Sequence, residues 1–196
     1  MRTGDQSALS EIFTCYYSDL YRYGVKILNQ PDLVKDSIQD VFVRIWDRRE
    51  KIGQVQNAKA YLITSLRRQL LENKAHYDSR IHEGKPASDE NQTFSFSSAE
   101  FMEVEEISIQ LRTSITTSVN SLPERQRELI FLRFYFDLRY AEIARIMDAK
   151  EQTIKNLMQR SIANLRNKLD RQLWDGIENM DDLMMTLFLL FRQVKC

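Results

Sequence analysis

The amino-acid sequence predicts an all-α protein: two small helical domains joined by a flexible linker, followed by an apolar C-terminal helix. Three observations predict it. Five glycines and three prolines among 196 residues leave few of the tight turns that a many-stranded sheet needs. Apolar residues recur at three- and four-residue spacing over several long stretches. A polar, acid-rich break divides those stretches into two groups. The expected units are a domain over 1–74, a linker over 75–100, a second domain over 101–170 and an extension over 171–196. An apolar fraction of 43% is enough for two small cores and argues against a disordered chain.

The first helix spans Ala8 to Leu28, with Leu9, Ile12, Phe13, Tyr16, Tyr17, Leu20 and Tyr21 on its apolar face. Pro31 stops it, because residues before a proline avoid helical torsions. Asp32 to Trp46 forms a second helix, buried through Leu33, Val34, Ile38, Val41, Phe42, Ile45 and Trp46. The charged stretch Asp47 to Asn57 contains Gly53 and reads as a loop. Ala58 to about Lys74 is a third helix, with Tyr61, Leu62, Leu66, Leu70 and Leu71 apolar.

From about Ala75 to Ser98, Gly84, Pro86, several serines and scattered acids leave little to bury. Periodicity resumes near Phe101 and runs to about Val119. Ser121-Leu122-Pro123-Glu124 is a start signal, with Pro in the first turn and an acid near the positive end of the helix dipole. That helix reaches about Tyr135. A short one follows from Tyr140 to Met147, then the turn Asp148-Ala149-Lys150, then a polar helix from Glu151 to about Asp170. Asp148 suits a turn needing left-handed torsions. The extension carries Trp174, Ile177, Met180, Leu183, Met184, Leu187, Phe188, Leu190 and Phe191. This surface must pack on its own domain, a partner or a membrane surface. Its run from Leu183 to Phe191 is too short to span a bilayer.

The charges balance, 28 basic against 28 acidic, but unevenly along the chain. Residues 1–74 and 121–170 are mildly basic. Between them, over 75–106, Asp78, Glu83, Asp89, Glu90, Glu100, Glu103, Glu105 and Glu106 face only Arg80 and Lys85. Two basic blocks suit two nucleic-acid-facing modules. Zero net charge gives the free chain little general attraction for DNA. Cys15 and Cys196 have no spacing motif, so neither a disulfide framework nor a zinc site is expected. His76 and His82 add no metal pattern. No cofactor and no small-molecule substrate are expected. The N-terminus lacks a basic-then-apolar leader pattern, which makes the cytoplasm the expected compartment.

The pair Tyr140–Met147 and Glu151–Asp170 has the pattern of a helix-turn-helix. Ile143, Ala144 and Met147 share one face, with the small Ala144 where a second helix must cross closely; Ile154 and Leu157 supply the matching face. The second helix then presents Glu151, Gln152, Thr153, Lys155, Asn156, Gln159 and Arg160. Lys155 and Arg160 can neutralise phosphates, and Asn156 and Gln159 can read base edges.

Ser121-Leu122-Pro123-Glu124-Arg125-Gln126-Arg127, then Phe131-Leu132-Arg133-Phe134 and the helix-turn-helix, resembles the C-terminal domain of extracytoplasmic-function (ECF) RNA polymerase sigma factors. Upstream, Asp36-Ser37-Ile38-Gln39-Asp40-Val41-Phe42-Val43-Arg44-Ile45-Trp46 is similar to that family's polymerase-docking helix. The stretch from Tyr61-Leu62 to Arg67-Arg68 looks like its segment for melting and holding the minus-ten element. The resemblance implies sigma region-two and region-four helical domains, with bacterial core RNA polymerase, promoter DNA and an anti-sigma factor as partners. It implies core-polymerase contacts at Asp36, Gln39, Asp40 and Arg44. Minus-ten contacts fall at Asn57, Lys59, Tyr61, Arg67 and Arg68, and minus-thirty-five contacts on the exposed positions of the last helix. In the family the linker threads the polymerase channels; here it is either such a thread or a plain tether. Arg68 stands where the family usually has Asn, Tyr61 where it often has Trp, and Leu157 where a basic residue is common.

The polar stripe on the second helix is by itself either a docking surface or a solvated face, and Tyr61 either a stacking ring or a core aromatic. No nucleophile–base pair, phosphate-binding glycine loop or metal cluster appears, which excludes an enzyme. The alternatives are a helix-turn-helix transcription regulator and a helical protein-binding adaptor. Residues 1–74 lack the alternating strands and helices of a receiver domain.

Overall fold

The computed structural model describes residues 4–81, 94–97, 109–169 and 187. All regular structure among them is helical. The chain divides into two units, Met1–Thr93 and Phe94–Cys196.

Unit 1 is a three-helix bundle: α1 (Gln6–Ile27), α2 (Pro31–Asp47) and α3 (Ala58–Ile81), each packed on the other two. The Asp5 carboxylate caps α1, accepting from the Ser7 and Ala8 amides at 2.9 and 3.3 Å. A further hydrogen bond from the Ser7 hydroxyl helps hold that carboxyl below its ordinary pKa. Pro31 opens α2 at the first turn, where its missing N–H is not needed. Asn57 caps α3, its side-chain oxygen accepting from the Ala60 amide at 3.1 Å. Leu20, Tyr23, Val34, Ile38, Ile63, Leu66 and Leu70 fill the core. A half-buried polar chain joins α2 to α3: Asn73 donates to the Ser37 hydroxyl at 2.9 Å, and that hydroxyl donates to the Leu33 carbonyl.

Gly24 lets α1 and α2 meet. A Cβ there would lie 2.5 Å from a methyl of Val34, a short branched side chain that cannot swing away. Gly24→Ala is therefore expected to destabilise unit 1 by a net ~1–2 kcal/mol, although alanine is the better helix former. Val34→Ala should cost less in that background than in the wild type. Urea unfolding of the two single variants and the double variant measures the coupling.

Unit 2 contains α4 (Ile109–Asn120), α5 (Glu124–Ile130), a π-helical segment Phe131–Tyr135, α6 (Tyr140–Ile146) and α7 (Glu151–Lys168). Phe131 lies at its centre, with ring contacts to Phe94, Phe96, Tyr135 and Phe136 at centroid separations of 4.5–5.9 Å. Pro123 sits one residue before α5 rather than within its first turn. Asp137 and Asp148 both adopt left-handed torsions, Asp148 in the expected turn.

Several elements differ from the sequence expectation. α3 runs to Ile81, past the expected end at Lys74, because adding a residue to a helix already formed costs far less than starting one. Leu71 on α3 is 41% exposed. Within the expected linker, Phe94 and Phe96 are buried in unit 2; residues 82–93 and 98–108 lie outside the described residues. The C-terminal extension also lies outside them, except for Leu187, which is helical and buried. None of the described helices is long and apolar enough to cross a membrane.

Candidate functional site

On α2, Asp36, Gln39, Asp40 and Arg44 are all exposed. At 3.6 residues per turn they fall on one face, and Val43 lies within it. Val43 is 58% exposed, an apolar side chain surrounded by polar ones. Beside it runs a groove of about 460 Å³ between the start of α1 and the end of α2. Leu9, Phe13, Phe42, Val43 and Trp46 line it, and almost all its wall is apolar. Trp46 is only half-buried; Arg49 stacks over its ring at 4.7 Å and donates to its carbonyl at 2.9 Å. Sequence reasoning missed the groove. Its signal was Val43, an apolar residue in step with Gln39 and Asp40 instead of with the core positions.

On α3 the expected minus-ten residues separate. Tyr61 is 38% exposed and Arg68, seven residues on, is exposed on the same face. Lys59 lies on roughly the opposite face and pairs with Asp19 of α1 at 2.7 Å. Arg67, half-buried, is turned away from Arg68 by about 100°. Asn57 has its side-chain oxygen committed to the α3 cap. The helix therefore brings Tyr61 and Arg68 together and leaves Asn57, Lys59 and Arg67 off that face.

In unit 2, α6 and α7 cross as a helix-turn-helix. Ile143, Ala144, Met147 and Ile154 are buried at the crossing. Leu157 is only half-buried, and Met158 takes the inner position, followed by Ile162 and Leu165. Leu157 lies roughly 60° around the helix from Ile154, at the rim of the apolar stripe. Glu151, Gln152, Thr153, Lys155, Asn156, Gln159 and Arg160 are all exposed. Lys155 pairs with Glu151 at 2.7 Å, and the Gln152 amide donates to Asn156 at 2.9 Å. These contacts hold the side chains along the helix, where base edges or phosphates can replace the partners.

Three arginines set the frame around this motif. Arg125 donates to the Met147 carbonyl at the end of α6 at 3.3 Å. Arg127 is buried and donates to the Asn120 carbonyl; burial pushes its guanidinium below the ordinary arginine pKa. Arg133 stacks over Tyr140 at 5.4 Å and donates to the Leu138 carbonyl at 3.1 Å. The Glu142 carboxylate closes the start of α6, accepting from the Arg139 backbone amide at 2.8 Å and from the Arg139 guanidinium at 2.9 Å. Among the described residues no group of three or more His, Cys, Asp or Glu is placed to hold a metal.

This geometry is that of an all-helical protein with a helix-turn-helix in one unit, the class of motif that enters DNA grooves, and an exposed polar stripe around Val43 in the other. Residues 12–78 match the family model of Sigma-70 region 2, and residues 112–165 match that of Sigma-70, region 4. The ECF RNA polymerase sigma factor SigK of Mycobacterium tuberculosis (strain ATCC 25618 / H37Rv) is 25% identical over 175 residues, covering 85% of this chain and 88% of the relative. SigK of Mycobacterium sp. (strain KMS) is 22% identical over 170 residues, covering 84% of each chain. Among solved structures, the chain is similar to the sigma factor RpoE in complex with the anti-sigma factor NepR from Bartonella quintana. There the TM-score is 0.59 at 20% identity, covering 82% of this chain and 95% of that one. It is also similar to CnrH in complex with the cytosolic domain of CnrY, with a TM-score of 0.54 at 14% identity, covering 85% and 90%. The chain belongs to the ECF RNA polymerase sigma factors. It is a transcription initiation factor and not an enzyme.

Proposed function

We propose that the α2 stripe docks on bacterial core RNA polymerase, the Tyr61–Arg68 face captures the opened minus-ten strand, and the exposed face of α7 reads the minus-thirty-five duplex. The observation that carries this reading is Val43 exposed within the Asp36, Gln39, Asp40 and Arg44 stripe, beside an apolar groove. An apolar centre with a charged rim suits docking on a protein partner better than contact with DNA. Tyr61 offers a stacking surface and Arg68 a phosphate contact. Asn156, Gln152 and Gln159 offer amide edges suited to adenine, while Lys155 and Arg160 serve backbone phosphates. Asn57, Lys59 and Arg67 then support the minus-ten segment through the cap, the Asp19 pair and the flank of the helix.

An anti-sigma factor is a suitable partner for the same apolar groove, because occupying it would hide the docking stripe. The proposed role places the chain with polymerase in the cytoplasm. Run-off transcription with core polymerase on a library of promoter fragments tests the reading. A new set of transcripts is expected, with weak DNA binding by the free chain. A chain that acts only on a holoenzyme already containing another sigma would be a regulator. A chain that yields no transcript in either setting would be an adaptor.

A further inference from the structure

The segment Phe94–Ser97 lies outside any helix, and its side chains alternate: Phe94 and Phe96 buried, Ser95 and Ser97 exposed. Both rings pack on Phe131, at 5.4 and 5.9 Å. The Asn120 side chain engages both backbone groups of Phe96. Its oxygen accepts from the Phe96 amide at 2.7 Å, and its NH₂ donates to the Phe96 carbonyl at 2.8 Å. The side-chain amide thus occupies the place that a neighbouring strand's backbone would take. Asn120 is itself anchored at the end of α4, its own carbonyl accepting from Arg127.

We propose that Phe94–Ser97 is a clasp that closes the chain between Ser97 and Asn120 into a loop on unit 2. Only residues 82–93 then serve as the span between the two heads. Phe94, Phe96 and Asn120 thereby set the promoter spacer length that the chain accepts. The proposal rests on the sigma-factor reading above. Chain length carries the argument, whatever path the intervening residues take. From the end of α3 at Ile81 to Phe94 the chain can reach at most about 45 Å. With the clasp open, the span would run from Ile81 to the start of α4 at Ile109, and the limit would roughly double, to about 95 Å. Each added base pair separates the two elements by ~3.4 Å. A tether near its limit loses effective concentration steeply, so a short span penalises long spacers and an open one tolerates them.

The test uses the full chain with core polymerase and a promoter series that differs only in spacer length. A short Gly-Ser insertion between residues 87 and 88 lengthens the tether; the same insertion between 102 and 103 lengthens only the clasped loop. The tether insertion is expected to raise transcript yield on the longest spacers by about threefold or more, and the loop insertion to leave the profile within about twofold of wild type. Phe96→Ser combined with Asn120→Ala, which opens the clasp, should reproduce the tether insertion. Equal broadening by both insertions, no change from either, or a change from the loop insertion alone would overturn the proposal. Hydrogen exchange at the Phe96 amide provides an independent readout. Slow exchange, lost in Asn120→Ala, is expected in the free chain and in the holoenzyme, and fast exchange in the holoenzyme would also overturn the clasp. A wild-type chain that gives no transcript at any spacer would instead remove the sigma reading, and the spacer role with it.

Discussion

Val43→Glu is expected to weaken binding to core polymerase by about 100-fold, close to 3 kcal/mol, without lowering the melting temperature. Val43 is 58% exposed, so glutamate meets no steric barrier in the free protein. At an interface it would place an unpaired charge in the apolar centre, beside Asp36, Asp40 and the groove wall of Phe13, Phe42 and Trp46. Val43→Ala removes only two methyl groups and should cost less than about tenfold. Titration of labelled core polymerase with each variant measures both effects. If Val43→Glu binds as the wild type does, α2 is not the docking helix and another surface of unit 1 must serve.

Phe131→Ala should destabilise unit 2 by about 3–5 kcal/mol. Phe131 is fully buried and touches four other aromatic rings, one of them stacked at 4.5 Å. Truncation leaves a cavity that these neighbours cannot readily fill, since their own positions are fixed by packing on one another. Small domains hold only ~5–15 kcal/mol of stability, so such a loss takes up most of the margin at the lower end. Phe131→Leu retains most of the volume and should cost clearly less. Urea unfolding followed by far-ultraviolet circular dichroism should show one transition shifted to lower urea while the unit 1 transition stays in place. An unshifted curve would mean that the aromatic cluster does not hold unit 2 together. Loss of helix-turn-helix-dependent transcription should accompany the shift, because α6 and α7 rest on the same core.

The sequence carried the helices well where amphipathic spacing and punctuation agreed. Pro31 marked the junction of α1 and α2, and Asp148 the turn before α7, because proline fixes φ and Asp tolerates left-handed torsions. The exposed face of α7 was legible for the same reason: polar residues at helical spacing have nowhere to be buried. It was less legible where two roles fit one residue type. Lys59 and Asn57 read as nucleic-acid contacts, since a cation and an amide at a helix start suit phosphates and bases. Asp19 lies 40 residues from Lys59, and only folding brings the two within 2.7 Å. The Asn57 cap was within reach of the sequence, because the helix was expected from Ala58 and asparagine is a favoured residue just before a helix.

The sequence by itself determined the local periods: which stretches coil, which faces are apolar, and where proline or aspartate interrupts them. Those properties depend on neighbours three or four residues away. Only the tertiary structure decided that Val43 stands at the edge of a groove, that Lys59 answers Asp19, and that a phenylalanine pair within an acidic, polar stretch is held by Asn120 against the core. Each of these is a meeting of residues distant along the chain. Which of them meet depends on how the helices pack, and that is a property of all the side chains acting together.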